Sequence, residues 1–102
     1  MRETTRLIRE TPLGRNFILR DQMYRACLSI MLNIAEGSGR RSNKEFNQFL
    51  AIAHGSVKEF QCILYVAIDS GNITQPQLDA LYSAADEIGR MIYGLSKYLR
   101  SA

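Results

Sequence analysis

Apolar residues recur every three or four positions along most of this chain, which is the spacing of amphipathic helices. The clearest stretch is residues 43–70, where the pattern is a heptad repeat typical of a helix in an antiparallel bundle. The residues that repeat every seven positions are Phe46, Ala53, Phe60 and Ala67. No stretch shows the sustained alternation of a strand, so the sequence predicts an all-α fold.

A second predicted helix, residues 16–36, is apolar around most of its circumference. Ten of the thirteen residues from Met23 to Ala35 are apolar. The polar positions form one narrow stripe along the helix, made of Gln22, Arg25, Ser29, Asn33 and Glu36. A helix this apolar is expected either to be central in its own bundle or to be covered by another subunit.

Two further helices complete the predicted fold. The last one begins after Thr74, whose spacing to Gln77 predicts a capping box, and its apolar face consists of Leu78, Leu81, Tyr82, Ala85, Ile88, Ile92, Leu95 and Leu99. A short first helix is predicted over residues 2–10, before Pro12 and with only Leu7 and Ile8 as apolar contacts. Together these patterns predict a single domain over residues 1–102, an antiparallel up-and-down four-helix bundle with a shortened first helix.

The turn between the second and third predicted helices combines glycines with basic residues. We expect Gly37 and Gly39 to adopt positive φ and so to end the preceding helix. Ser42 and Glu45 have the spacing of a capping box for the next helix. The turn brings its three cations, Arg40, Arg41 and Lys44, to one end of the bundle.

Charge is unevenly distributed along the chain. Residues 1–44 hold nine Lys and Arg against four Asp and Glu, whereas residues 45–102 hold four against six. Ten of the thirteen cations are arginines, whose planar guanidinium suits phosphates and carboxylates. A net charge of +3 is mild, so two interpretations remain open: a surface for nucleic acid, or an ordinary solvated surface.

The cysteines and the apolar runs indicate a cytoplasmic protein without cofactor or metal. Cys27 and Cys62 lie in separate apolar runs and are expected to be buried thiols in a reducing compartment. They form no metal-ligand cluster with His54, which is the single histidine. We expect no leader peptide, and no run approaches the roughly 20 apolar residues that span a bilayer.

Residues 29–40 read Ser-Ile-Met-Leu-Asn-Ile-Ala-Glu-Gly-Ser-Gly-Arg and are followed by Lys44-Glu45-Phe46 and Gly55-Ser56. This string resembles a bacterial four-helix-bundle family that includes proteins encoded in intervening sequences of large-subunit ribosomal RNA genes. The family is similar to the accessory variability proteins of diversity-generating retroelements. The resemblance implies a homopentamer with a basic surface and, for the retroelement branch, binding to RNA or DNA and to a reverse transcriptase.

Two departures from the family pattern stand out. Met31 occupies a position where members commonly have proline, so we expect any proline-dependent kink to be relaxed here. The segment before Pro12 is shorter than the family's usual first helix, so either the first helix is shortened or an upstream start is missing from the sequence.

The basic turn is the leading candidate site. Arg40, Arg41 and Lys44 next to a helix N-terminus could hold phosphates, and Arg20 and Arg25 could extend the basic region along the second helix. The alternative is a capped turn with solvated charges. The tyrosines and phenylalanines are expected mostly in the core, so we predict contact with the nucleic-acid backbone rather than reading of bases.

No catalytic constellation stands out. Asn33, Glu36 and Glu59 are predicted members of a structural polar network between helices, and a buried Glu36 would need a cation such as Arg25 or Arg40. His54, Ser56 and Glu59 lie on one helix that spreads them around its circumference, which argues against a triad. We therefore predict a non-enzymatic, homo-oligomeric scaffold that binds nucleic-acid backbone. The alternative is a purely structural or protein-interaction oligomer without nucleic-acid binding.

Overall fold

A computed structural model describes residues 16–102 of the chain. It contains three helices in this range, α1 (Phe17–Ser38), α2 (Asn43–Asp69) and α3 (Gln75–Ser101), and no strand. The all-α class is confirmed. The predicted four-helix bundle is wrong, because three helices form the described bundle, and the segment assigned to a first helix, residues 2–10, lies outside the described residues. That assignment depended on two apolar residues alone, Leu7 and Ile8.

The long helix α2 lies at the centre of the bundle. Both α1 and α3 pack along it, and they make very little direct contact with each other. The short turns make each neighbouring pair antiparallel, so the start of α2 lies beside the end of α3, where Asn43 Nδ2 donates to the carbonyl of Leu99 over 3.3 Å. Within residues 16–102 the central helix is therefore α2 and not α1, the second predicted helix, which exposes Leu28, Met31 and Leu32.

The heptad repeat of α2 forms the core of the bundle. Seven of its apolar residues are buried: Leu50, Ala53, Val57, Phe60, Ile63, Leu64 and Ala67. Phe46, which belongs to the same repeat, and Phe49 are half-buried in the first turns of α2. From the other two helices, Met23 and Ala26 of α1 and Leu81 and Ile92 of α3 pack into the same cluster. The packing face predicted for residues 43–70, which form α2, is thus confirmed along most of its length.

The apolar face predicted for the last helix divides into two faces. Leu78, Leu81, Ala85 and Ile92 are buried against α2. Ile88 and Leu95 are exposed, so they do not share the buried face with the other residues of the predicted apolar face. They belong to a separate exposed stripe with 4, 3, 4, 3 spacing, which we name the α3 stripe: Ala84, Ile88, Met91, Leu95 and Tyr98. This spacing is that of a coiled-coil seam.

Side chains and one glycine set the helix ends. Asn16, Ser42 and Thr74 each accept a hydrogen bond from a first-turn backbone N–H, and Thr74 forms the complete capping box with Gln77. At the end of α2, Gly71 has φ of +76°. The N–H groups of Asn72 and Gly71 donate to the carbonyls of Ala67 and Ile68 over 2.8 and 3.0 Å, which is a Schellman motif.

Gly37 has a different role from the predicted one. Within residues 16–102 only Gly71 has positive φ, so neither Gly37 nor Gly39 ends α1 in that way. Gly37 is buried inside the helix, where a Cβ atom would lie 2.8 Å from Phe49 Cβ and 2.9 Å from Phe46 Cδ1. The absence of a side chain lets the first turns of α2 pack directly against the end of α1.

We expect the substitution Gly37→Ala to lower the free energy of unfolding by about 1–2 kcal/mol, because overpacking against Phe49 Cβ and the Phe46 ring exceeds the gain in helix propensity. Gly55→Ala is the matched control, since Gly55 is also helical but has no atom within 4 Å of the new Cβ. It should raise the same free energy by about 0.5–1 kcal/mol. Urea denaturation followed by circular dichroism measures both. Equal effects of the two substitutions would contradict the packing role of Gly37.

Candidate nucleic-acid interface

Cations from two parts of the chain meet at one end of the bundle. Arg40, Arg41 and Lys44 lie in and just after the α1–α2 turn. The hydrogen bond between Asn43 and Leu99 holds the last turn of α3 at the same end, and Lys44 and Arg100 line one groove of about 580 Å³. We call these four cations the basic end. Arg100 was not predicted as a member of this cluster, because it is distant from the other three cations in the chain. The predicted antiparallel order of the last two helices does, however, place the end of α3 beside the start of α2.

The four cations differ in their partners. Arg40 forms an ion pair with Glu36 over 2.8 Å, and its guanidinium lies 4.7 Å from the ring centroid of Phe49. Arg41, Lys44 and Arg100 form no ion pair with any residue in the range 16–102. Apart from Glu36, the nearby carboxylate is that of Glu45 in the first turn of α2. Three exposed cations are therefore available to an anionic partner.

The structure does not bring Arg20 and Arg25 to this cluster. Arg20 lies in the first turn of α1, twenty residues before Arg40. Because a helix rises 1.5 Å per residue, the two arginines are about 30 Å apart. Arg20 is 3.7 Å from a carboxylate oxygen of Asp21 and 4.5 Å from the ring centroid of Phe17. Arg25 lines a separate groove of about 510 Å³ between α1 and α2. The predicted nucleic-acid residues thus divide into one cluster of three and two distant residues.

The three residues of the predicted polar network lie at separate places. Asn33 Nδ2 donates to the Ser29 carbonyl over 2.7 Å and to the Ser29 hydroxyl over 3.2 Å. The Ser29 and Ser56 hydroxyls are 2.6 Å apart across the α1–α2 interface, so Asn33 joins an interhelical network through Ser29. Glu36 is exposed and pairs with Arg40, whereas Glu59 lines the α1/α2 groove opposite Arg25. The interhelical link is therefore made by two serines, which sequence reasoning missed because small hydroxyls give no distinctive spacing.

His54 and Ser56 face different helices. His54 lines a groove of about 220 Å³ between α2 and α3, together with Asp86, Arg90 and Tyr93. Ser56 bonds to Ser29 of α1 instead. The histidine and the serine therefore point to different sides of α2, and Glu59 lies in the groove with α1.

The aromatic residues are more exposed than the sequence suggested. Among the tyrosines and phenylalanines of the described range, only Phe60 is buried. Tyr93 and Tyr98 of α3 are largely exposed. Tyr65 packs edge-on against Tyr82 at a centroid distance of 5.6 Å. Side-chain hydrogen bonding with Tyr82 and the electrostatic interaction between the two phenols raise the pKa of Tyr65 above its usual range. Contact with the backbone rather than with bases was predicted because the aromatic rings were expected in the core. The exposed rings of Tyr93 and Tyr98 do not fit that expectation.

Other predictions concern thiols, metals and membranes. Cys27 is half-buried, but Cys62 is exposed, so the expectation of two buried thiols is wrong for Cys62. Residues 16–102 contain no group of three or more His, Cys, Asp or Glu side chains placed to hold a metal ion. In the same range, no helix is both long and apolar enough to cross a membrane.

Comparisons with known proteins agree with this description. The model of the family described as 23S rRNA-intervening sequence protein matches residues 1–94. A solved structure from Bacteroides thetaiotaomicron, a protein of unknown function from the S23 ribosomal protein family, is similar at 26% sequence identity and a TM-score of 0.81. That similarity covers 92% of this chain and 84% of the other. No match was found among curated proteins.

Proposed function

This chain belongs to the 23S rRNA-intervening sequence protein family, and we propose that it is a non-enzymatic helical scaffold that self-assembles and binds the phosphate backbone of nucleic acid. The observation that carries the proposal is the basic end. Arg41 and Lys44 at the α1–α2 turn and Arg100 in the last turn of α3 meet at one end of the bundle and have no intramolecular ion pair in residues 16–102.

Two features of the basic end favour phosphate as its partner. Arginine presents several donors in a planar group that matches phosphate oxygens. The first turn of α2, capped by Ser42, begins within the cluster and adds the positive end of its helix dipole. Glu45 reduces this field but leaves the cations in excess. Nothing at this end selects a nucleotide sequence, so backbone binding is the interaction that these residues support.

Self-assembly is supported by two exposed apolar stripes on one protomer. One is the α3 stripe, and the other, which we name the α1 stripe, consists of Leu28, Met31, Leu32 and Ala35. Two different apolar surfaces on one protomer suit head-to-tail association, which closes into a ring at the right rotation. A pentamer and a reverse-transcriptase partner stay predictions from the family resemblance.

The second candidate function is a structural or protein-interaction oligomer without nucleic-acid binding. It is favoured by the same apolar stripes, which need no nucleic acid to associate. It is also favoured by the ion pair of Arg40 with Glu36, which satisfies one cation of the basic end internally. The two proposals differ in whether the remaining cations bind a polyanion.

A salt titration separates the two proposals. The wild-type protein should bind a single-stranded RNA with an affinity that falls steeply as salt increases, because bound phosphates release counterions. The double substitution Arg41→Ala and Lys44→Ala should reduce the slope of log affinity against log salt by about 1.4, at about 0.7 per lost phosphate contact. Fluorescence anisotropy measures both quantities.

The control for this titration is Arg20→Ala, which removes one cation at the opposite end of α1. It should leave the slope within about 0.3 of the wild-type value, less than half of one contact. Binding that is insensitive to salt, or absent at low salt, would favour the purely structural oligomer. An equal loss of slope from Arg20→Ala would show that the basic end is not the binding surface.

A further inference from the structure

A groove lined by several charged side chains runs along the junction of α2 and α3, and we name it the α2/α3 groove. It consists of two pockets of about 580 and 220 Å³. The α2 lining residues continue at helical spacing from one pocket to the next, as Lys44, Asn47, Ala51, His54 and Lys58. On α3 the lining continues in the antiparallel direction as Arg100, Ser96, Tyr93 and Arg90. The spacing places both pockets on one side of the bundle, over about 21 Å of α2 at 1.5 Å per residue.

The charged groups of this groove are mostly basic. Lys44, Lys58 and Arg100 have no ion-pair partner among residues 16–102. Asp86 is the one carboxylate that lines either described pocket, and it already pairs with Arg90 over 2.7 Å. The groove therefore has the charge expected of a channel that follows a phosphodiester backbone. It begins at the basic end, with which it shares Lys44 and Arg100.

Two side chains in the groove can interact with bases. Tyr93 is 58% exposed while it lines the groove, so its ring is available for stacking. Asn47 Oδ1 accepts a hydrogen bond from the Ser96 hydroxyl over 2.5 Å. This bond fixes the orientation of the amide, and the Asn47 NH₂ group has no partner in the described range. Cations interleaved with an exposed aromatic ring are the features that bind single strands without sequence preference.

We propose that a single strand of nucleic acid lies in the α2/α3 groove, with its phosphates on Lys44, Lys58 and Arg100 and one base stacked on Tyr93. This inference rests on the proposed function and extends it from the bundle end to a defined path with base contact. A double helix does not fit the proposal, because its bases are stacked on each other and cannot reach a tyrosine ring.

The experiment is fluorescence anisotropy of the full chain with a short uridine RNA, a thymidine DNA of equal length and a duplex of the same length. Tyr93→Ala should weaken binding to both single strands about tenfold, whereas Tyr93→Phe should bind like wild type, because phenylalanine keeps the stacking ring. The Tyr93→Ala substitution should not change the affinity for the duplex. Similar losses for RNA and DNA are expected from stacking, and a loss for one alone shows which strand uses the groove.

The matched charge control compares two exposed cations. Lys58→Ala, inside the groove, should weaken single-strand binding about threefold or more at low salt, whereas Arg25→Ala, in the α1/α2 groove, should not. If Tyr93→Ala and Lys58→Ala bind single strands as tightly as the wild type, and wild-type binding depends on salt, the α2/α3 groove is not the path of the strand. The proposed function is not contradicted by that result. No binding by the wild type at low salt would overturn both. Circular dichroism of each variant confirms that the bundle is folded.

Discussion

Replacement of Leu64 by alanine is expected to lower the free energy of unfolding by about 3 kcal/mol. Leu64 lies in the middle of the central helix, and its side chain is 0% exposed in the core cluster. The substitution removes buried methyl groups and leaves a cavity between helices that cannot fully close. Since domains of this size are stable by only about 5–15 kcal/mol, the loss is a large part of the total. Urea denaturation measures it.

The control for this substitution is Val66→Ala, two residues further along the same helix. Val66 is 54% exposed, so little burial is lost, and alanine is the better helix former. The free energy of unfolding should change by less than about 0.5 kcal/mol. A similar loss from both substitutions would show that α2 is not held by the core described above.

The heptad repeat explains why the central helix was predictable. A helix covered on two sides must carry apolar residues at regular spacing along its whole length, and α2 does so from Leu50 to Ala67. The capping signals of Thr74 and Ser42 are equally local. The structure confirms the complete capping box at Thr74, whereas at Ser42 only the hydrogen bond from the Glu45 N–H to the Ser42 hydroxyl is present, without the reciprocal bond from the Glu45 side chain. Features determined by neighbouring residues in the chain could therefore be predicted from the chain alone.

Features that depend on packing partners could not be predicted from the chain alone. The apolar residues of α3 look like one face in the sequence, and only the position of α2 shows that Ile88 and Leu95 lie outside the contact. Gly37 likewise has the sequence signature of a helix stop, but its role comes from the approach of Phe46 and Phe49. The bundle of residues 16–102 has three helices rather than four, and the segment assigned to a first helix lies outside that range.

The candidate site shows the same division. Arg40, Arg41 and Lys44 are neighbours in sequence, and the turn keeps them together. Arg100 joins them only through the antiparallel packing of α3, while Arg20 and Arg25 are separated from them by the length of α1. The α2/α3 groove was not predicted either, since the exposure of Tyr93 depends on which side of α3 faces the core.

The second large effect is expected from Met91→Glu, in the middle of the α3 stripe. Met91 is 67% exposed in the single protomer, so a glutamate there is solvated and keeps a good helix propensity. If the α3 stripe is covered by another protomer, the same carboxylate loses its water without gaining a partner, which costs about 3 kcal/mol or more. Self-association should weaken at least about 100-fold. Sedimentation velocity at micromolar concentration measures the change.

The matched control is Ile52→Glu, which adds the same charge to an exposed apolar residue of α2 outside both stripes. It should leave the oligomer intact, whereas Met91→Glu should sediment as a folded single subunit. A wild-type protein that is already a single subunit, or equal sedimentation of the two variants, would contradict assembly through the α3 stripe. If Met91→Glu alone dissociates the oligomer, its affinity for RNA should fall as well, because an oligomer presents several basic ends to one strand and a single subunit presents one.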